Sequence, residues 1–348
     1  MDASVSDTVA SPWHAGEVAM QCSTGMAERM DALGRKVVRG FMPEQHREFF
    51  AQLPFVVLGA VDRAGGAWAT LRAGQPGFLH SPHPQRLDAA LPREPQDPAD
   101  AGMEHGDAIG LLGIELHTRR RNRMNGVLRR PGGGPGGPGG PGGPGFHVEV
   151  RQSFGNCPQY IQLRDYAFVE QAPAAPVELA GLDDAARALV GGADSFYVAT
   201  YVDLDGGERQ VDVSHRGGKP GFVRIEPDGA LTIPDFQGNM FFNTLGNIAL
   251  NPRAGLVFVD FATGGLLQMS GTARLLGGGA AGTTPADAAA DLADLAGLAA
   301  FEGAQRLWRF SPQRIIRRGA ALPLRWRAQD NGASPASLRT GAWPAVPK

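Results

Sequence analysis

Along this chain, short apolar or alternating runs bounded by turn residues outnumber helical periodicities. Residues 55–61 form an unbroken apolar run, 62–66 (Asp-Arg-Ala-Gly-Gly) carry turn residues, and 67–73 read as the return strand. Residues 107–116 and 146–150 are further apolar strands, and 306–310 alternate as a last one. A 3.6-residue period appears in few places. Met26, Met30, Leu33 and Val37 are spaced along one helix face, and Pro43 is a suitable first residue for a helix to about residue 52. A short helix is expected near 183–189. Another starts at Thr284-Pro285, with Leu292, Leu295 and Leu298 as its apolar face and Asp287 suited to its first turn. Residues 1–12 and 331–348 are predicted to be loose.

The stretch 231–252 organises the rest. Its opening, 231–233, is a strand that Pro234-Asp235 is expected to stop. Asn239 is the predicted N-cap of a helix that Asn251-Pro252 ends, because a residue before proline is pushed out of the α region. Phe241, Leu245 and Ile248 would face a core, while Asn239, Asn243 and Asn247 fall at i, i+4 and i+8 with Thr244 beside them. Gly246 in mid-helix costs about 1 kcal/mol against alanine, which predicts a close approach to its backbone. Uncharged donors at a helix start, with the free N–H groups and the dipole, suit a phosphate; the plain alternative is a solvated face.

An internal repeat runs through the chain. Phe55, Val61, Asp62, Gly65 and Gly66 match Phe196, Val202, Asp203, Gly206 and Gly207 at an offset of 141. Pro76-Gly77-Phe78 matches Pro220-Gly221-Phe222 at 144, and Thr118, Met124 and Gly126 match Thr263, Met269 and Gly271 at 145. Such a slowly drifting offset is what a duplicated domain with small insertions produces. The first copy has no counterpart of the Asn-Thr-Leu-Gly-Asn helix, which suggests that only the second keeps a phosphate site.

Composition narrows the chemistry. With 33 basic and 35 acidic residues among 348 the net charge is −2, so nothing favours nucleic acid or an anionic membrane. Two distant cysteines, Cys22 and Cys157, make neither a disulfide framework nor a metal motif, and a reducing cytoplasm fits. No run of 18 apolar residues and no signal-peptide pattern is expected to direct the chain to a membrane. His80 and His83 lack further ligands at metal spacing, and His14 and His46 read as structural. Ser214 and His215 are neighbours on a strand and point to opposite faces, which excludes a hydrolytic dyad. No Gly-x-Gly-x-x-Gly follows a strand. Residues 119–123 (Arg-Arg-Arg-Asn-Arg) read as a solvated turn, Cys157 as a small buried hydrophobe, and 131–145 as a Pro/Gly run that cannot pack a core.

The order of strands around 203–207 and 211–216, Pro220-Gly-Phe-Val223, the helix closing on Asn-Pro-Arg-Ala, the apolar strand 253–260 and the strand 266–274 together resemble the FMN-binding split barrel of the pyridoxamine 5'-phosphate oxidase-like proteins. The resemblance implies a mainly β fold with peripheral helices (α+β), built as tandem FMN-binding split β-barrels. It divides the chain into a helical extension (1–53), a degenerate first copy (54–170), a connector (171–192), a second copy with the phosphate site (193–330) and a tail (331–348). The implied cofactor is FMN, held by Ser214, Arg216, Asn239, Asn243, Thr244, Asn247 and Gln268, with backbone of 211–213 at the ring edge. No catalytic residue is identified. The implied activity passes hydride or electrons between a reduced nicotinamide and a small-molecule acceptor; the rival reading is a non-catalytic flavin or nucleotide binder. Split barrels of this kind pair across the flavin, so the tandem copies would form an intramolecular pseudo-dimer with one FMN and with 157–162 as the far wall; a homodimer is the other arrangement. Two departures stand out. Asn243-Thr244 replaces an Arg-Lys pair of the oxidase, with Arg216 expected to compensate, and Arg314-Ile-Ile-Arg317-Arg318 is not its C-terminal Arg-x-His motif, so pyridoxamine phosphate is not the expected substrate.

Overall fold

The computed structural model describes residues 10–130, 145–277, 298 and 301–343. The expectations for residues 131–144 and 284–297 lie outside these, as do those for the first nine and last five residues. Three helices come first: α1 (Ala15–Ser23), α2 (Ala27–Val37) and α3 (Glu44–Ala51). The sequence pattern showed the second and third but not α1, which rests on a local device. His14 caps it, its Nδ1 accepting from Gly16 N, while the Glu17 carboxylate reaches back to His14 N at 3.1 Å.

Strands β1 (Phe55–Val61), β2 (Ala67–Ala73), β3 (Leu79–His83), β4 (Arg86–Ala89), β5 (Ala108–Glu115), β6 (Arg120–Arg129) and β7 (Phe146–Gly155) make an antiparallel sheet in the order β2-β1-β5-β6-β7-β4-β3. After β8 (Arg164–Phe168), β9 (Val177–Leu179) and α4 (Asp184–Gly192), a second sheet forms from β10 (Ser195–Asp203), β11 (Arg209–Gly217), β12 (Arg224–Ile225), β13 (Leu231–Phe236), β14 (Arg253–Asp260), β15 (Gly265–Leu275) and β16 (Ala304–Arg318). Helix α5 (Asn243–Leu250) lies between β13 and β14. The second order is β11-β10-β14-β15-β16-β13-β12, the same path strand for strand, and β9 adds to β16. Finally β17 (Leu324–Ala328) pairs with β8. The molecule is thus mainly β with peripheral helices.

The two sheets share details as well as order. The β6–β7 ladder shifts register between Asn125 and Gly126, and the β15–β16 ladder between Ser270 and Gly271. Each bulge falls at a glycine because a side chain there would run into the facing carbonyl, Glu149 O or Ser311 O. The match of Phe55 with Phe196 does not survive, however. Phe55 faces the core between the two halves, whereas Phe196 points inside the second sheet. An odd offset reverses every side chain of a strand, so the structural equivalence of β1 and β10 is an even one.

Three large clusters carry most of the apolar burial among the described residues, beside two small ones around Trp13 and Tyr201. One fills each sheet, around Trp68 and around Trp308, and a third joins the halves through Val57, Leu112, Tyr197, Val213 and Val257. The halves meet nearly backbone to backbone. A Cβ on Gly110 would lie 2.7 Å from Val211 O, and one on Gly255 would lie 2.7 Å from Trp68 Cα.

Two further expectations are corrected. Strand β13 runs through Pro234 to Phe236, because β12 pairs only with Leu231 and Thr232 and leaves the edge beyond them free of any demand for an N–H. The tail is packed as far as it is described: Ser334, Ser337 and Thr340 are buried, and Trp343 stacks near Phe301 and donates to Phe222 O at 3.1 Å.

Candidate functional site

A cleft opens between the two halves. The first half contributes Arg121 and Arg123 from β6 with Asn156, Cys157, Gln159 and Tyr160 after β7; the second contributes Ser214, His215 and Arg216 from β11, residues 234–236 of β13 and the start of α5. Helix α5 begins later than expected. Asn239 is not its N-cap but accepts from Phe241 N within the preceding loop, and Phe242 takes the cap position with φ 61° and no side chain bonded to the first turn. The amides of Asn243, Thr244 and Leu245 therefore start the helix without a side-chain acceptor, and all three residues line the cleft. Met240 and Phe242 in this loop, and Tyr160 across the cleft, are three of the six non-glycine residues with positive φ among the described residues. Each such residue costs on the order of 1 kcal/mol or more, and this kind of strain concentrates where a ligand is held.

The cations come mostly from the half that the sequence did not credit. Residues 119–123 were expected to be a solvated turn; only Arg119 is in the turn, where it occupies the left-handed region. Alternation along β6 turns Arg121, Arg123 and Asn125 inward, across the interface, and leaves Arg120 over the Phe49 ring. Arg123 pairs with Asp212 at 3.3 Å and bonds Ser214 Oγ. Arg216 pairs with Asp235 at 2.8 Å. Arg121 has no carboxylate partner among the described residues; its Nη1 donates to His215 Nδ1 at 3.4 Å. Burial, with Arg123 and Arg216 adding to it, pulls the Arg121 guanidinium down to about 10, and burial holds His215 neutral, well below its ordinary value. The Nε atoms of Arg121, Arg123 and Arg216, and Asn156 Nδ2, are buried with no partner among the described residues. Four unmatched donors in one cleft, beside a helix start with free amides, fit an oxyanion ligand.

The predicted site residues divide. Ser214, Arg216, Asn239, Asn243 and Thr244 all line this cleft, with Thr244 Oγ1 donating to Ser214 Oγ at 3.0 Å. Asn247 does not: it is fully buried one turn down α5, where Nδ2 donates to Thr200 Oγ1 at 3.0 Å and to Asp212 at 3.1 Å, and Oδ1 accepts from His14 Nε2 at 2.8 Å. Gln268 is also buried elsewhere, donating to Ala69 O at 3.1 Å and to Asp97 at 3.0 Å. The backbone of 211–213 is outside the cleft lining. The asparagine stripe therefore serves two purposes: its middle member bonds Glu17 of α1, and its last member joins a buried polar network. Gly246 accepts a close neighbour as predicted, and that neighbour is α1; a Cβ there would stand 2.7 Å from Glu17 N.

Behind the cleft, Glu17 is fully buried with Asp212 in the same network. Desolvation first, then the nearby Asp212 charge, pushes its carboxyl up to about 8, and burial holds His14 below its usual value. Asp212 lies against Arg123 and Asp235 against Arg216, which leaves Arg121 as the cation in excess at the cleft.

Among the described residues no helix is long and apolar enough to cross a membrane, and none of their His, Cys, Asp and Glu side chains group to hold a metal. No known family's sequence profile matches the chain, and no curated protein does. Solved structures with a partial likeness include HupZ of Group A Streptococcus, 18% identical, covering 42% of this chain and 94% of that one at a TM-score of 0.26. The heme storage protein HutZ from Vibrio cholerae is 13% identical, covering 39% and 93% at 0.26. An FAD binding protein from Mycobacterium smegmatis is 15% identical, covering 38% and 89% at 0.24. At these scores the likeness carries no argument about chemistry.

Proposed function

We propose that this chain holds FMN in the cleft between its two halves, and that it is a flavin-dependent oxidoreductase passing hydride or electrons between a reduced nicotinamide and a small-molecule acceptor. On this reading the two halves are tandem split barrels that form an intramolecular pseudo-dimer, working in the cytoplasm. The observation that carries the reading is the set of buried, unpartnered guanidinium Nε atoms of Arg121, Arg123 and Arg216 gathered beside the uncapped start of α5. A phosphate monoester is a compact dianion, and arginine forks with backbone amides are the donors that suit it. Thr244 and Ser214 add hydroxyls, and Asn156 adds an amide. Arg121 supplies the charge that the Asn243-Thr244 pair lacks, where Arg216 alone was expected to compensate; Arg123 and Arg216 are already tied to Asp212 and Asp235 and add donors more than net charge.

Apolar surface for a ring system is present on the same walls, in Leu112, Tyr160, Phe222, Phe236, Met240 and Phe242. The flavin would supply reversible one- and two-electron chemistry, and the chain's own part is placement and exclusion of water. Arg121, with no carboxylate partner among the described residues and next to neutral His215, is the cation most available to an incoming anion. The protonated Glu17 keeps a second negative charge away from it.

The rival reading is a flavin binder without turnover. It is favoured by the commitment of the cleft's ionisable groups, since Arg123, Arg216, Asp235 and His215 all bond one another or their neighbours in positioning contacts. The purified protein's visible spectrum and the mass of its released chromophore test FMN directly. Anaerobic mixing with NADPH and with NADH separates the two readings: bleaching of the flavin supports the oxidoreductase, and a bound flavin that no nicotinamide reduces supports the binder. A colourless protein that takes up no FMN at micromolar concentration defeats both.

A further inference from the structure

The two sheets follow one path, so each feature of the cleft has a counterpart on the other side of the interface. Gln268 stands three residues before the bulge glycine of β15, as Arg123 stands before that of β6. Thr70 and Arg72 take the face of β2 that Asp212, Ser214 and Arg216 take on β11. Between β4 and β5, where the second half has α5 between β13 and β14, the chain makes a 3₁₀ turn (Pro98–Gly102) that packs on β1 and β2. The donors of this counterpart converge as they do in the cleft.

What they converge on is different. Asp97, only 2% exposed, puts its carboxylate among them. Its Oδ2 accepts from Thr70 Oγ1 at 2.6 Å and meets Arg318 Nη1 at 3.0 Å; its Oδ1 accepts from Gln268 Nε2 and from Ala99 N, both at 3.0 Å. Glu94 bridges the two guanidiniums, 2.8 Å from Arg72 Nε and in contact with Arg318. Burial, with Arg72 adding to it, pulls Arg318 down to about 10, and burial lowers Arg72 while Asp97 and Asp100 oppose that shift, so an anion beside them is favoured. None of Thr70, Arg72, Gln268 and Arg318 has a buried side-chain polar atom left without a partner, in contrast to the three arginines of the cleft. Asp97 also lines an outward-opening depression with Arg93, Asp100 and Arg314, so the position is reached from solvent once that carboxylate is gone.

We infer that the chain contains a second oxyanion cradle, formed by Thr70, Gln268 and Arg318 with Arg72 held beside them by Glu94 and Pro92 O, which its own Asp97 carboxylate fills. The ligand class that fits is a small oxyanion, a phosphate or a carboxylate. The internal occupant makes the molecule functionally one-sided, and one side chain separates it from two-sided binding. This inference does not require the first cleft to bind flavin.

Removing the occupant tests it. Asp97→Ala empties the cradle, and Asp97→Asn keeps the shape while removing the charge. Thermal melts of wild type and both variants are compared in chloride, inorganic phosphate and acetate at equal ionic strength. The expected result is that phosphate or acetate raises the midpoint of Asp97→Ala by roughly 2–4 °C more than that of wild type, and that phosphate titration finds one site more than in wild type. Should Asp97→Ala fold only when phosphate or acetate is present, that also supports the cradle. Folded variants whose anion dependence equals that of wild type overturn it, as does an alanine variant that neither anion restores while Asp97→Asn shows no extra anion response. FMN titration of the wild-type protein reads the first cleft alone, so the two readings fail separately.

Discussion

Arg121 is buried, unpaired with any described carboxylate, and flanked by two further guanidiniums. An apolar core does not retain such a group for stability, since burial alone disfavours its charge. Arg121→Ala is therefore expected to weaken FMN binding about 10- to 100-fold, the worth of a charge-assisted hydrogen bond, while leaving the melting temperature unchanged or higher. Fluorescence titration and a thermal melt on one preparation check this. Glu17 makes the opposite kind of prediction. With its carboxyl pushed from 4.5 up to about 8, the folded state keeps a proton that the unfolded chain releases above about pH 4.5. Stability from this group therefore falls as pH rises from about 4.5 to 8, at up to roughly 1.4 kcal/mol per pH unit, and levels off beyond. Glu17→Gln removes that slope, so its advantage in melting temperature over wild type should grow between pH 5 and pH 8; parallel pH profiles would count against a buried, protonated Glu17.

At the scale of elements, the organising contact is the crossing of α1 and α5. Gly16 and Gly246 let the two helices meet at the backbone, and a methyl group on either would press into the other helix. Gly246→Ala should gain about 1 kcal/mol of helix propensity and still lose stability, by about 1–3 kcal/mol, because the overpacked crossing outweighs propensity. Urea melts give the magnitude, and limited proteolysis ahead of Trp13 shows whether α1 has come away. Thr244→Ala is the cleaner probe of the site itself: Asn243 is tied to Glu17, so its removal confounds binding with the docking of α1. Losing the Thr244 hydroxyl, bonded among the described residues to Ser214 Oγ, should cost FMN affinity by about 5- to 10-fold with a smaller effect on folding.

At the scale of the whole molecule, the cleft exists only because two sheets of the same order pack through a shared apolar core, at glycines that admit the opposing backbone. With the counterpart position filled by Asp97, FMN titration of the wild-type chain should saturate at one equivalent; two equivalent sites would contradict the asymmetry. Gly110→Val should part the halves against Val211 O and abolish flavin retention more completely than it lowers the strand signal in far-ultraviolet circular dichroism. Much of this architecture is legible in the residues. The turn glycines, the apolar runs of β1, β5 and β14 and the helix ending at Asn251-Pro252 are local signals, because turn chemistry and strand alternation act over a few residues; Gly126 and Gly271 were visible as a matched pair, not as bulges. The continuation of β13 through Pro234 and the destinations of Asn247 and Gln268 were not legible, because each depends on a partner distant in the sequence; α1 was missed although its signal is local, a capping box built on His14 in place of the usual Ser or Thr. The run at 119–123 shows the boundary. Its sequence determines that alternate arginines leave opposite faces of a strand, and nothing more. That the inward face meets Asp212, Ser214 and His215, some 90 residues on, was decided by the packing of one sheet against the other. Coulomb and desolvation energies are set by distances in space, so only the assembled fold could turn a basic run into the charged wall of a cleft.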